Sequence, residues 1–355
     1  MNIYAVIMAG GVGSRFWPRS KKALPKQLLK IFGDSTMIQA TVQRIDELID
    51  RKNIFIITNE LQATEVKNQL PDIPEENIII EPFGRNTAAA IGLASIIIKA
   101  KDPEAVTIVL PADHIIREEE IFRNTLNNAA KFAFERKALV TIGIHPTRPE
   151  TGYGYIQIDD KKIQDNIYKV LTFAEKPNYA TAVRFLESGD FLWNSGMFIW
   201  RVDIILDEIR TYMPDLFEGL TEIEKHIGKN DFRDVLVKAY GQMKKISIDY
   251  GIMEKSTKVY LTKGFFTWSD VGSWEEVYQL SEKDSNGNAL TGKVYTDRVI
   301  DSYIYSPDKF TAVIGVDNLI IINHDDTLLV CRRDKAQDVK NVVEYLKMNK
   351  LDEYC

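Results

Sequence analysis

The chain has 355 residues, of which 45% are hydrophobic and 27% charged, an ordinary globular balance with room for one large domain and an appendage. A formal net charge of −6 excludes a global basic field for nucleic acid or anionic lipid, so a phosphate ligand has to be held by a few placed cations. The two cysteines, Cys331 and Cys355, form no CxxC pair, which argues against a disulfide framework or a zinc site and fits a reducing, cytoplasmic setting.

The first apolar run, Ile3 to Ala9, is too short for a signal h-region and has no basic stretch before it. No apolar run approaches the length of a membrane span. His114, His145, His226 and His324 are scattered and lack the HExxH spacing of a metal helix.

In chain order, Tyr4 to Met8 reads as a continuous apolar strand, and Met37 to Ile49 places apolar groups at helical spacing. Further buried strands are expected at Asn53–Thr58, Asn77–Glu81, Ala105–Leu110 and Leu139–Ile144. Helices are expected at Asn86–Lys99, capped near Asn86 or Thr87, and at Glu118–Phe134. Such alternation predicts an α/β fold, a Rossmann-like mixed but mostly parallel sheet whose ligands bind beyond the carboxyl ends of the strands. From Thr151 to Trp200 the pattern turns to antiparallel alternation, and helices follow between Val202 and Lys255. The polar stretch Ser281 to Asn288 reads as a boundary. Beyond it lie short β-rich runs: Gly292–Tyr295, Tyr303–Tyr305, Thr311–Val316, Leu319–Asn323 and Thr327–Cys331. The turns Ser306-Pro307-Asp308 and Val316-Asp317-Asn318 separate them, and a final helix covers Ala336 to Lys347. This tail predicts a small β-solenoid-like module without a strict repeat.

Gly10-Gly11-Val12-Gly13-Ser14-Arg15 follows the first strand directly. Glycines there permit positive φ and let N–H groups approach a phosphate. The loop has no GKS or GKT, so it is not a Walker A loop. Phe16 breaks GxGxxG, so it is not a dinucleotide fingerprint. Arg15 and Lys26 supply two cations that can neutralise a triphosphate and the charge of departing pyrophosphate.

The stretch MAGGVGSRFWPRS…LPKQ resembles the signature of the sugar-nucleotide pyrophosphorylases. Trp17-Pro18 and Pro25-Lys26-Gln27 resemble the bacterial members that join GTP to mannose 1-phosphate. Phe16 stands where that family usually shows Leu. Matching segments continue in order: Glu81 to Ala88, Pro111 to His114, Pro149 to Tyr155, Phe173 to Pro177, Trp193 to Phe198, Ser247 to Tyr250 and Trp268 to Trp274. The resemblance covers nearly the whole chain. It implies a nucleotide-diphospho-sugar transferase catalytic domain over 1–285 and a β-helix-like module over 289–355 that makes subunit contacts, so a homo-oligomer (a dimer) is expected.

Asp113 and Asp270 are the positions that match the family's metal ligands, which implies one Mg²⁺ bridging both substrates; the alternative for each is a helix cap. The resemblance places Glu175 on the hexose and Lys176 on its phosphate, with an ordinary surface ion pair as the alternative. Asn194 in WNSGMF and Gly154 between two tyrosines complete the expected sugar-phosphate set. Asp249 resembles a family position and can equally cap a helix.

The expected nucleotide set is Ala9, Gly10, Gly11, Gly13, Ser14, Arg15, Lys26, Glu81, Arg85, Asn86, Thr87 and Asp113. Glu81 is the carboxylate suited to the N1–H and N2–H donors of guanine, while backbone groups around Ala9 and Gly10 are the competing base readers. The expected catalytic groups are Arg15, Lys26, Asp113, Lys176 and Asp270. The family's chemistry then needs no serine, cysteine or histidine base, because a sugar phosphate is already an anionic nucleophile. Its partners are GTP and mannose 1-phosphate, with no nucleic acid and no membrane. Other hexose 1-phosphates or nucleotides, or a catalytically silent regulatory subunit, are the alternatives. A cupin-type isomerase domain, present in some related chains, is not expected.

Overall fold

A computed structural model of the chain describes residues 1–11 and 13–354; Val12 of the glycine loop and Cys355 lie outside the described residues. The chain divides into two compact units. The first comprises Met1–Gly10, Thr41–Ala112 and Ile116–Trp268; the second comprises Gly11–Ala40, Asp113–Ile115 and Ser269–Cys355.

The first unit carries a nine-stranded sheet. Its strands are β1 (Ile3–Met8), β2 (Ile54–Asn59), β3 (Ile78–Glu81), β4 (Val106–Pro111), β5 (Leu139–Ile144), β6 (Tyr155–Gln164), β7 (Ile167–Ala174), β8 (Phe191–Arg201) and β9 (Val259–Gly264). Their spatial order is β3-β2-β1-β4-β8-β5-β9-β7-β6. β1, β2, β3 and β4 pair in parallel, as do β5 and β9. β8 runs antiparallel to β4, β5 and β6, and β7 antiparallel to β9 and β6, so only β7 and β8 oppose the common direction. The expected mixed, mostly parallel sheet is therefore present. Ile54, Phe55, Ile56 and Ile57 are all fully buried, which is why this segment reads as an unbroken apolar run.

Helices α1 (Met37–Ile45), α2 (Glu60–Gln69), α3 (Thr87–Lys101) and α4 (Glu119–Arg136) connect the first strands. The expected helix over Met37–Ile49 stops at Ile45 and continues as a turn. α3 is buried on nearly every side, from Ala88 through Ile98, so its small alanines serve close packing. α5 (Tyr179–Ser188), α6 (Val202–Tyr212), α7 (Pro214–Glu224) and α8 (Phe232–Gln242) follow. α3, α6, α7 and α8 share one apolar core with the faces of β1, β2 and β4.

In the second unit, α9 (Trp274–Leu280) precedes β10 (Ala289–Asp297), β11 (Tyr303–Ile314), β12 (Leu319–His324) and β13 (Thr327–Arg332); α10 (Val339–Met348) and a 3₁₀ turn (Asp352–Tyr354) follow. β10, β11 and β12 pair in parallel although only residues 298–302 and 315–318 join them, so no crossover helix intervenes and the strands coil as in a β-helix. A polar ladder fills the corner. The Asn288 amide donates to the Val299 carbonyl at 2.9 Å, its oxygen accepts from the Ser302 N–H at 3.1 Å, and the Ser302 hydroxyl accepts from the Leu319 N–H at 3.1 Å. The turn Ser306-Pro307-Asp308 does not separate two strands. It bulges within β11, whose pairing with β10 jumps from Gly292–Ser306 to Val294–Thr311. One core joins Phe16, Trp17, Leu29, Ile31 and Met37 to Trp274, Tyr303, Ile320, Ile322, Leu329, Val339 and Val343.

Candidate active site

Within the second unit, Gly13, Ser14, Arg15, Phe16, Lys26, Asp113, His114, Asp270, Val271, Gly272 and Lys340 line a cavity of about 350 Å³. Gly13 has φ 56, and a Cβ there would meet the Lys26 backbone nitrogen at 2.8 Å, so the loop can close on Lys26 only with glycine. Gln27 donates to the Gly11 carbonyl at 3.0 Å and fixes the loop's entry. Lys26 opens a short 3₁₀ turn after Pro25 and is buried, with its ammonium 5.4 Å from the Phe16 ring centroid. It contacts Asp113 Oδ2 at 2.9 Å and donates to the Val271 carbonyl at 3.0 Å and to the Asp270 carbonyl. A lysine ammonium has three donors, so these contacts account for all of them.

Asp113 follows β4. Burial pushes its carboxyl up, but the charges of Lys26 and His114 outweigh that and hold it below the ordinary carboxylate value. Neither aspartate caps a helix: α9 has Ser273 as its N-cap residue, and Asp113 precedes the extended Ile115–Ile116. Asp270 is aimed by a strained turn. Val271 is fully buried at φ 46, a region a β-branched residue rarely enters. Ser269 accepts from the Val271 N–H at 3.0 Å, and Glu276 accepts from the Gly272 N–H at 2.8 Å and the Ser269 hydroxyl at 3.1 Å. Among the described residues no cluster of three or more His, Cys, Asp or Glu could hold a metal. Two carboxylates on one cavity, at least one of them held ionised, fit a hard cation that takes its other ligands from phosphate and water.

The base candidates lie in the first unit. The Ala9 N–H donates to the Ile57 carbonyl at 2.7 Å, and its carbonyl accepts from Thr58 Oγ1 at 3.3 Å, so both backbone groups are engaged by β2. Glu81 ends β3 and is buried. Its Oε1 accepts from the Tyr240 hydroxyl, and its Oε2 lies 3.5 Å from where a Gly10 Cβ would be. Burial pushes the Glu81 carboxyl up to about 7, although the Tyr240 hydrogen bond pulls the other way. Arg85 donates to the Tyr240 carbonyl at 3.3 Å and to the Gly241 carbonyl. Asn86, at φ 68, is the N-cap residue of α3 and accepts from the Thr87 N–H at 2.8 Å. The Thr87 hydroxyl accepts from the Ile248 N–H at 2.9 Å.

The sugar-phosphate candidates meet in the same unit. The Asn194 N–H donates to the Gly154 carbonyl at 2.8 Å. A Cβ on Gly154 would lie 2.4 Å from Glu175 Oε2 and 3.3 Å from Asn194 Cβ, so glycine is what admits both side chains. Lys176, at φ 48, contacts Glu175 Oε1 at 2.8 Å, and its head remains largely exposed. Asn194 Oδ1 accepts from the Gly196 N–H at 3.1 Å, and its amide donates to Asp249 Oδ1 at 2.9 Å. Asp249 opens a π-helix (Asp249–Met253), a feature frequent at functional sites, so it belongs with this set. Burial and the Glu175 charge push its carboxyl up to about 6.

Sequence reasoning did not find Tyr240, Glu276 or Lys340. Tyr240 and Glu276 carry no local signature. Lys340 carries none either, since it follows the N-cap residue Asp338 on an ordinary surface helix.

A glycine-rich segment after the first strand of a mixed α/β sheet, with two aspartates and cations on one cavity, suits a protein that handles nucleoside triphosphates. The model of the nucleotidyl transferase family matches residues 4–287, and that of the MannoseP isomerase/GMP-like β-helix domain matches residues 294–346. A mannose-1-phosphate guanylyltransferase from Escherichia coli is 41% identical over 352 residues, 97% of this chain and 75% of the relative. A Thermus thermophilus crystal structure, described as a mannose-1-phosphate geranyltransferase, superposes with a TM-score of 0.89 at 32% identity over 98% of this chain and all of that one. A Helicobacter pylori crystal structure, described as a mannose-6-phosphate isomerase, gives 0.61 at 25% identity over 76% of this chain and all of that one. The chain belongs to the mannose-1-phosphate guanylyltransferase family of nucleotidyl transferases.

Proposed function

We propose that the protein transfers GMP from GTP to α-D-mannose 1-phosphate, giving GDP-mannose and pyrophosphate. The observation that carries this reading is the convergence of Gly13, Ser14, Arg15, Lys26, Asp113 and Asp270 on one cavity, in a chain of this family. The sugar-phosphate oxygen attacks the α-phosphorus in line, and the bond to the pyrophosphate oxygen breaks with its electron pair leaving on pyrophosphate. Asp113 and Asp270 would hold Mg²⁺, which would supply charge neutralisation for the phosphates. The N–H groups of Gly11, Gly13 and Ser14 and the Arg15 guanidinium take the triphosphate. Lys26 holds Asp113 and the Asp270 turn in place. Glu175 and Asn194 take hexose hydroxyls, Lys176 takes the sugar phosphate, and Glu81 reads guanine, with Arg85, Asn86 and Thr87 as further nucleotide-binding residues. Catalysis is thus positioning and charge neutralisation, without a side-chain nucleophile.

Residues 1–285 form the transferase part in this reading and 289–355 the β-helix-like module. The protein works in the cytoplasm, and it pairs as a dimer through that module, where Phe310, Leu328 and Val330 are more than half exposed. No helix among the described residues is long and apolar enough to cross a membrane. Pyrophosphate release, measured with Mg²⁺, each nucleoside triphosphate and a panel of hexose 1-phosphates, tests the reaction. Strong preference for GTP with mannose 1-phosphate is expected; equal rates with other pairs would overturn the specificity, and no release with any pair would overturn the activity. Sedimentation tests the dimer.

A further inference from the structure

We propose that Lys340, on the terminal helix α10, is a ligand for the pyrophosphate moiety of the nucleotide. The inference rests on the reading that the cavity of the second unit receives the triphosphate. Its ground is the charge around that cavity. Lys26 is engaged by Asp113 Oδ2 and by the carbonyls of Asp270 and Val271. Arg15 and Lys26 together only balance Asp113 and Asp270. A triphosphate carries roughly four negative charges at neutral pH, of which one divalent cation offsets half. Roughly two charges then remain without a fixed counter-charge. Lys340 is the further lysine or arginine on the wall of this cavity, and it is exposed, so its ammonium can reach a ligand.

The terminal helix is held firmly enough to place that charge. Val339, Val343 and Leu346 are buried at helical spacing in the core that also contains Phe16 and Trp274. Lys340 lies in the first turn of α10, two residues after the N-cap residue Asp338, so its position on the helix is fixed. The sugar phosphate has its own lysine in Lys176, so the group left for Lys340 is the departing pyrophosphate.

The test is calorimetric binding of inorganic pyrophosphate with Mg²⁺, and separately of GMP, to the wild-type chain and to Lys340→Ala and Lys340→Arg. An exposed helix position tolerates both replacements. Lys340→Ala should weaken pyrophosphate binding by roughly fivefold, more at low salt, while GMP binding is unchanged and Lys340→Arg restores affinity. Equal pyrophosphate affinity in wild type and Lys340→Ala, equal losses for GMP, or no pyrophosphate binding by the wild type would each overturn the inference. If Lys340→Ala loses pyrophosphate but the wild type makes no GDP-mannose, the proposed reaction fails and the role of Lys340 stands.

Discussion

The Tyr240 hydroxyl donates to the Glu81 carboxyl inside the first unit, joining the end of β3 to α8 across 159 positions of sequence. Burial raises Glu81 to about 7, and Tyr240 opposes the rise. Guanine N–H donors need the carboxylate, which is fully formed only above that value. The KM for GTP should therefore rise as pH falls through about 7. Glu81→Gln should abolish this dependence and narrow the preference for GTP over ATP. Tyr240→Phe keeps the packing but removes the bond that favours the carboxylate, so its midpoint should move to higher pH. Steady-state kinetics across pH checks all three, and an unchanged GTP preference in Glu81→Gln would exclude Glu81 as the base reader.

Asp249 yields a stability prediction as well as a binding one. Its folded-state carboxyl lies at about 6, above the ordinary 3.8, because of burial and the nearby Glu175. The protonated form is favoured on folding, so the associated stability is complete below the ordinary value and lost as pH rises through about 6. Asp249→Asn can still accept from Asn194 and carries no charge. Its melting temperature should exceed that of wild type at pH 8 and converge with it near pH 4, for a difference of at most about 3 kcal/mol. The same variant should raise the KM for mannose 1-phosphate, since Asn194 loses a charged partner. Melts at the two pH values decide the first point, and a gain that persists near pH 4 would contradict it.

Lys26→Met removes the cation that Asp113 faces and the donor that the Asp270 and Val271 carbonyls share. Turnover should fall by about a hundredfold or more, while circular dichroism remains native. Near-normal turnover would remove Lys26 from the reaction.

Gly154→Ala places a methyl 2.4 Å from Glu175 Oε2, so Glu175 has to move. The KM for mannose 1-phosphate should rise several-fold and that for GTP should stay. Parallel changes in both constants would point to a general distortion instead.

Much of this was legible in the residues. β1 to β5 announce themselves as apolar runs because both their faces are covered, and Leu139–Ile144 has the expected bounds. Gly13, Ser14, Arg15, Lys26 and both aspartates line one cavity. Helix α2 escaped notice because its buried face is Gln62, Ala63 and Val66 while Leu61 points outward, so it lacks an apolar stripe. β11 read as two strands because Pro307 is a turn signal, and only the partner strand shows that pairing resumes beyond it. The engagement of Lys26 and the place of Tyr240 depend on residues more than 150 positions away, which no local pattern encodes.

Phe16 and Trp17, beside the phosphate loop, sit in one core with strands and a helix from the far end of the chain. The Trp274 indole donates to the Trp17 carbonyl at 3.0 Å, and the Trp17 indole donates to the Tyr354 carbonyl at 2.8 Å. The segment after the glycine loop and the tail are thus one heritable part, interrupted in sequence but not in packing. A chimera that takes only residues 289–355 from a relative would pair a foreign tail with a native loop. A working exchange has to carry residues 11–40 with it.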